Sequence, residues 1–284
     1  MKRILTAVLL IPVVLGLVLR APMWLLATAM AVIALLAARE YLDVAAGYKI
    51  QPFRCITYFA VLVFCLTPVF SADLRMFWAF LASVPFLLLI ASMARPHLAE
   101  SLPAAGVSLL GCIYIGFPFF SLLQARAFTA GWFSVLLVLL VVWSGDIFAY
   151  YIGRAFGRTP LAPRISPRKT WEGAIASFVG SILVALFLFA HANNIAHGAE
   201  AAGLLALPQH FITPPIWPLR IAVAAAINVA AQLGDLVESM IKRGAGIKDS
   251  GALLPGHGGV LDRIDALLMA APFAVLVSLL ISSV

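Results

Sequence analysis

Asp235, Glu238, Ser239 and Lys242 follow one another at i, i+3, i+4 and i+7, so they share one face of a helix. Asp262 and Asp265 stand one turn apart at the start of the next apolar run, where a helix dipole favours anions. Carboxylates gathered from two helices repel one another unless a cation lies between them. Hard oxygen ligands of this kind suit Mg2+, which takes one or two carboxylates together with substrate phosphates. Between the two groups runs a stretch with six glycines, Gly244, Gly246, Gly251, Gly256, Gly258 and Gly259. Glycines permit close backbone approach and exposed N–H groups. Lys242, Arg243, Lys248 and Arg263 add positive charge, and Asp249 and His257 lie among them. Glycine, cations and carboxylates in one place are what a polyphosphate with its metal requires. The Walker pattern is absent.

A second polar loop, Arg154 to Glu172, complements the first. It contains Ser166-Pro167-Arg168-Lys169-Thr170-Trp171-Glu172-Gly173. Ser166 is placed to cap the helix that follows, and the five cations would also serve membrane topology. Hydroxyls and a glutamate accompanying the charges favour a phosphate clamp. Asp146, in Trp143-Ser144-Gly145-Asp146, is a further carboxylate inside an apolar run. Each carboxylate alone could be a helix cap or an ion-pair partner. Ionisable groups within spans are costly and mark functional sites.

The elements that must position these residues are membrane helices. Of 284 residues, 63% are hydrophobic and 11% charged, against roughly 25% charged in a soluble domain. Apolar runs near the ~20 residues needed to cross hydrocarbon recur along the chain. They are Ile4–Leu19, Met23–Ala38, Ile56–Phe70, Met76–Met93, Ala104–Leu123, Trp132–Tyr151, Gly173–Ala190, Leu219–Ile241 and Ile264–Val284. The runs are continuous rather than alternating, which argues against membrane-spanning strands. The expectation is an all-α, polytopic integral membrane protein with about nine transmembrane helices. Residues 1–130 read as a generic bundle, and 131–284 as the catalytic part, with cytosolic loops 153–172 and 242–263.

Charge placement sets the orientation. With the N-terminus inside, 15 of the 19 cations fall on inner segments, and only Arg20, Arg75, Arg126 and Arg220 fall outside. The active site is then cytosolic. Lys2 and Arg3 before the first run resemble a signal peptide, but Leu19-Arg20-Ala21-Pro22 offers no cleavage pattern. The net charge of +7 is explained by topology and anionic headgroups and needs no nucleic acid. Cys55, Cys65 and Cys112 lack metal-ligand spacing and read as small core residues. Residues 191–218, with His191, His197 and His210, form the longest outer connection and match no zinc pattern.

Ser239-Met240-Ile241-Lys242-Arg243, Lys248-Asp249, Pro255-Gly256-His257-Gly258-Gly259-Val260 and Asp262-Arg263-Ile264-Asp265 together resemble the signature of the phosphatidate cytidylyltransferases, or CDP-diacylglycerol synthases. The Ser166–Gly173 segment and Gln232-Leu233-Gly234-Asp235 resemble the same family, whereas the first ~130 residues are generic. The resemblance implies that CTP and phosphatidate give CDP-diacylglycerol and pyrophosphate, in phospholipid biosynthesis at a bacterial inner (plasma) membrane. Mg2+ is the implied cofactor, with a second cation left open, and Asp235 and Asp262 are its implied ligands. Lys242, Arg243, Lys248 and Arg263 would hold phosphates, with Ser166, Arg168 and Lys169 from the other loop. Asp146, Glu172, Ser239, Asp249, His257 and Asp265 are supporting candidates. The partners are CTP, the phosphatidate lipid and the bilayer, and a homodimer is left open. The competing readings are a CTP-dependent lipid kinase of the dolichol or phytol type and a membrane transporter. A transporter would place its charges near mid-bilayer; here most lie at inner helix ends.

Overall fold

The computed structural model describes residues 12–70, 74–205, 212, 214–253 and 258–282. Its architecture is all-α. Residues 12–20 form α1, followed by α2 (Met23–Gly47), α3 (Arg54–Phe70) and α4 (Leu74–Ser92). A continuous helical run, Leu98–Ala127, holds α5 (Ser101–Gly111), a π turn (Cys112–Gly116) and α6 (Phe117–Ala127). Then come α7 (Gly131–Phe156), α8 (Trp171–Ala190), α9 (Ala192–Ala201), α10 (Trp217–Gly244), α11 (Leu261–Ala270) and α12 (Phe273–Ser282).

Six helices among the described residues are long and apolar enough to cross a membrane: α2, α4, the Leu98–Ala127 run, α7, α8 and α10. The α11–α12 pair adds a seventh if its 44° break counts as one bent span. Pro272 sits at that break, where it removes a backbone donor and cannot continue the helix. Sequence alone suggested nine spans. The first begins in residues outside those described, and α3 is shorter, at 17 residues with Pro68 inside it.

Between α7 and α8 an antiparallel hairpin pairs β1 (Pro160–Ala162) with β2 (Ser166–Thr170). Pro160, Pro163 and Pro167 deny this stretch a helix, and the paired edges satisfy backbone groups of a polar loop. Ser166 opens β2 and does not cap α8. Thr170 does so instead, its Oγ1 accepting the Gly173 N–H at 3.3 Å.

α7 lies along α8, and α10 packs against both α8 and α11. The apolar cores join residues from either side of residue 130: Val18, Leu122 and Ala125 belong with Leu137, Ile227 and Ala270 in one, and Leu42 and Ile115 with Leu261 in another. Two glycines set how closely the helices approach. A Cβ on Gly145 of α7 would lie 2.7 Å from Asn228 Nδ2 and 2.8 Å from the hydroxyls of Ser177 and Ser181. On Gly234 of α10 it would lie 2.6 Å from the Asp265 carbonyl oxygen on α11. These contacts bring Asp146 and Asp235, each the next residue along, toward the same end of the bundle.

Candidate active site

α10 carries the charged residues that both polar loops meet. Its last turn ends in Lys242 and Arg243, cations where the helix dipole favours them. Asp235 and Lys242 are seven residues apart, or about 10 Å along the axis. They belong to two adjoining constellations.

The first is a cavity of about 540 Å3 lined by α7, the hairpin, α8 and α10. Asp146 and Arg154 reach it from α7, Arg168, Lys169 and Thr170 from β2, and Gln232 and Asp235 from α10. Lys169 is ion-paired with Asp235 across it. Beneath it a polar network crosses the helices. Asn228 Nδ2 donates to Ser177 Oγ (2.9 Å) and Ser181 Oγ (2.8 Å), Gln232 Nε2 to Asn228 Oδ1 (2.6 Å), and Ser181 Oγ to the Val141 carbonyl (2.8 Å). Asn228 is 1% exposed. Without these partners its amide would carry the penalty of an unsatisfied group at membrane depth.

Glu172 stands beside this cavity in a different capacity. Its carboxylate accepts the backbone N–H of Arg158 (3.1 Å) and Thr159 (3.2 Å) and the Thr159 hydroxyl (3.0 Å). It therefore ties the start of the hairpin to the first turn of α8. Ser166 makes no such tie, and Arg168 is exposed at the cavity wall.

The second constellation is an ionic clasp. Lys242 Nζ lies 2.5 Å from both Glu238 Oε2 and Asp262 Oδ1. Asp262 also accepts the backbone N–H of Ser250 (3.0 Å) and Gly259 (2.7 Å). Two amides of the glycine-rich loop thus point inward to a carboxylate rather than outward to a ligand. Glu40 completes the clasp from α2: its carboxylate accepts Ser250 Oγ (2.9 Å), Val260 N–H (2.9 Å) and Leu261 N–H (2.8 Å).

The remaining candidates sit around these two groups. Arg243 donates to the Ile247 carbonyl of its own loop (3.1 Å). Lys248 and Asp249 are exposed on that loop, and Ser239 and Arg263 flank the clasp on α10 and α11. Asp265 accepts the Ala266 N–H (2.7 Å) and stands within electrostatic range of Asp235, Glu238 and Asp146. His257 lies outside the described residues, as does His210. Among the described residues no three His, Cys, Asp or Glu side chains converge as a ready-made metal shell. Asp235 and Asp262 each hold a lysine ammonium instead, which supplies the positive charge that carboxylates in such a place require. Hard carboxylate oxygens with phosphate ligands still to come fit Mg2+, which needs few protein ligands.

Glu40, Asn228, Ser177 and Ser181 were not singled out from sequence. Glu40 was hidden because the apolar run before it ends at Ala38, which put it in a loop. α2 in fact continues to Gly47. The readable signal was a carboxylate followed by more helix-compatible apolar residues, Tyr41, Leu42, Val44 and Ala45. The other three are small polar residues in apolar helices, a pattern shared by many positions without a function.

Fold and site together define a polytopic helical membrane protein with a charged cavity between α7, the hairpin, α8 and α10. The chain belongs to the cytidylyltransferase family, whose model matches residues 1–281. It is similar to the phosphatidate cytidylyltransferase of Brucella abortus biovar 1 (strain 9-941), 42% identical over 170 residues that cover 60% of this chain and 54% of the relative. The phosphatidate cytidylyltransferase of Haemophilus influenzae is 43% identical over 145 residues, 50% of this chain and 44% of the relative. That of Bacillus subtilis is 39% identical over 169 residues, 59% and 56%. The chain spans about half the length of the curated relatives it matches.

Proposed function

We propose that this protein joins CTP to phosphatidate, giving CDP-diacylglycerol and pyrophosphate. The observation that carries the reading is the pairing of carboxylates and lysines at one membrane edge, Asp235 with Lys169 and Asp262 with Lys242, in a chain of the cytidylyltransferase family. A phosphatidate phosphate oxygen attacks the α-phosphorus of CTP. The new O–P bond forms as the α–β bridging bond breaks, and its electrons leave with pyrophosphate. An ionised phosphatidate is already a nucleophile, so no general base is required.

Both reactants are anions, and the chain's cations offset their repulsion. Lys169 and Arg168 face the cavity from β2 and are suited to the triphosphate. Lys242 is suited to the transferring phosphoryl group, and Arg243, Lys248 and Arg263 to the outlying phosphates. Asp235 and Asp262 would hold Mg2+, which supplies charge neutralisation and polarisation of the α-phosphoryl group. Positive charge on the two loops supports a cytosol-facing site, within reach of CTP. The acyl chains remain in the bilayer while the headgroup enters the cavity between α7 and α10.

Purified protein with phosphatidate, Mg2+ and CTP labelled at the α- or the γ-phosphorus tests the reading. Lipid-linked label from α-labelled CTP alone is expected. Label transferred from the γ position would overturn it in favour of a lipid kinase.

A further inference from the structure

The residue that holds the glycine-rich loop to the membrane bundle comes from the part of the chain whose sequence looks generic. Glu40 lies near the end of α2, is 7% exposed, and accepts three hydrogen bonds from residues more than two hundred positions away. Two come from the N–H groups of Val260 and Leu261 at the start of α11. The third comes from the Ser250 hydroxyl, whose own backbone N–H donates to Asp262. Ser250 therefore links one carboxylate to the other, and Asp262 in turn holds Lys242. The packing is close. A Cβ on Gly251 would lie 2.6 Å from Glu40 Oε1, and one on Gly259 would meet Glu40 Oε2 and the Ser250 hydroxyl.

A buried carboxylate is costly unless it is fully hydrogen-bonded. Simple anchoring of a loop could be achieved with apolar contacts, as α2 achieves elsewhere along its length. A carboxylate that takes the amides of Val260, the residue before α11, and Leu261, its first residue, fixes the direction in which that helix leaves the loop, and with it the position of Asp262 and the ammonium of Lys242.

We propose that Glu40 is a positioning residue for the transfer reaction: through Ser250 and the first turn of α11 it sets the Asp262–Lys242 pair. It acts through these contacts within the protein. The proposal rests on the nucleotidyl-transfer reading for its kinetic arm alone. Glu40→Gln keeps the volume but turns one acceptor into a donor facing donors. Ser250→Ala removes one arm and leaves the other two.

The experiment measures kcat and KM for CTP and phosphatidate per folded molecule, well below each variant's thermal midpoint, beside hydrogen exchange of the 258–262 backbone. Glu40→Gln is expected to lower kcat by roughly ten- to a hundredfold, with KM for either substrate changed less than about threefold. Ser250→Ala is expected to lower kcat by a smaller factor. The double variant should be less impaired than the product of the singles, because one linkage serves both. Faster exchange at Val260 and Leu261 in Glu40→Gln is expected as well. Wild-type kcat per folded molecule in Glu40→Gln, with faster exchange, would reduce Glu40 to a structural anchor. Unchanged exchange would overturn the linkage itself. If the wild-type chain formed no lipid-linked CMP, the function reading would fail while the exchange arm still decided the linkage.

Discussion

Among the described residues Lys242 is the lysine or arginine that is buried. It is 9% exposed and shared between two carboxylates, one of which, Glu238, is 1% exposed. Removing the ammonium leaves two negative charges facing each other in a poorly solvated place. Lys242→Met is therefore expected to lose stability approaching the about 3–5 kcal/mol of a broken buried pair. Thermal unfolding in detergent measures it, and a midpoint equal to wild type would contradict the buried geometry. Asp235 differs, because its lysine partner lies at an open cavity. Asp235→Asn should abolish lipid-linked CMP formation while leaving the thermal midpoint within a few degrees. Asp262→Asn should lose both activity and stability, since two loop amides lose part of their acceptor. A wild-type rate for either variant at saturating Mg2+ would remove that residue from the proposed metal site. The carboxylates and the lysine were legible as chemistry from their helical spacing. Their pairing was not, because a spacing rule says which residues share a face and nothing about which helix lies opposite.

At the scale of elements, Glu172 ties the start of the hairpin to α8, while the Lys169–Asp235 ion pair ties β2 to α10. Glu172 gathers two backbone amides and a hydroxyl from Arg158 and Thr159, and the hairpin carries Arg168 and Lys169 into the cavity. Glu172→Gln is expected to loosen it. The site is open to water and can rehydrate, so the expected effect is a roughly fivefold rise in KM for CTP with kcat nearly kept. Equal loss in kcat and in kcat/KM would instead place Glu172 in the transition state. Gly145 offers a sterner test of the helix contacts. Gly145→Leu forces a side chain into the Asn228, Ser177 and Ser181 network and should cost about 1–3 kcal/mol by overpacking. It should also displace the neighbouring Asp146 and lower activity. A variant with full activity and an unchanged midpoint would show that α7, α8 and α10 do not meet there.

The whole molecule sets two ends of a bundle against each other. The polar loops at the C-terminal ends of α7 and α10 belong to one side, and the connection that follows α8 to the other. Cysteines placed singly at Ala252 and Ala202, in a background lacking Cys55, Cys65 and Cys112, are expected to label from opposite sides of sealed vesicles. Labelling of Ala252→Cys from the outer side would overturn the proposed cytosolic site and its access to CTP. What the sequence determined by itself is the class of structure. Few charges and repeated apolar runs leave a membrane bundle as the only economical way to hide that much surface, and the last third carries a family's polar pattern residue by residue. Hydropathy could not fix the number of spans, because α3, the π turn and the break at Pro272 alter helix length without altering apolar content. Nor could it foresee the hairpin, where three prolines overrule the helical tendency of their surroundings. Only tertiary structure decided that Glu40 meets Ser250 and the start of α11. Contacts across more than two hundred residues leave no local pattern, and a lone carboxylate at the end of an apolar run looks the same whether it faces water or holds a distant helix in place.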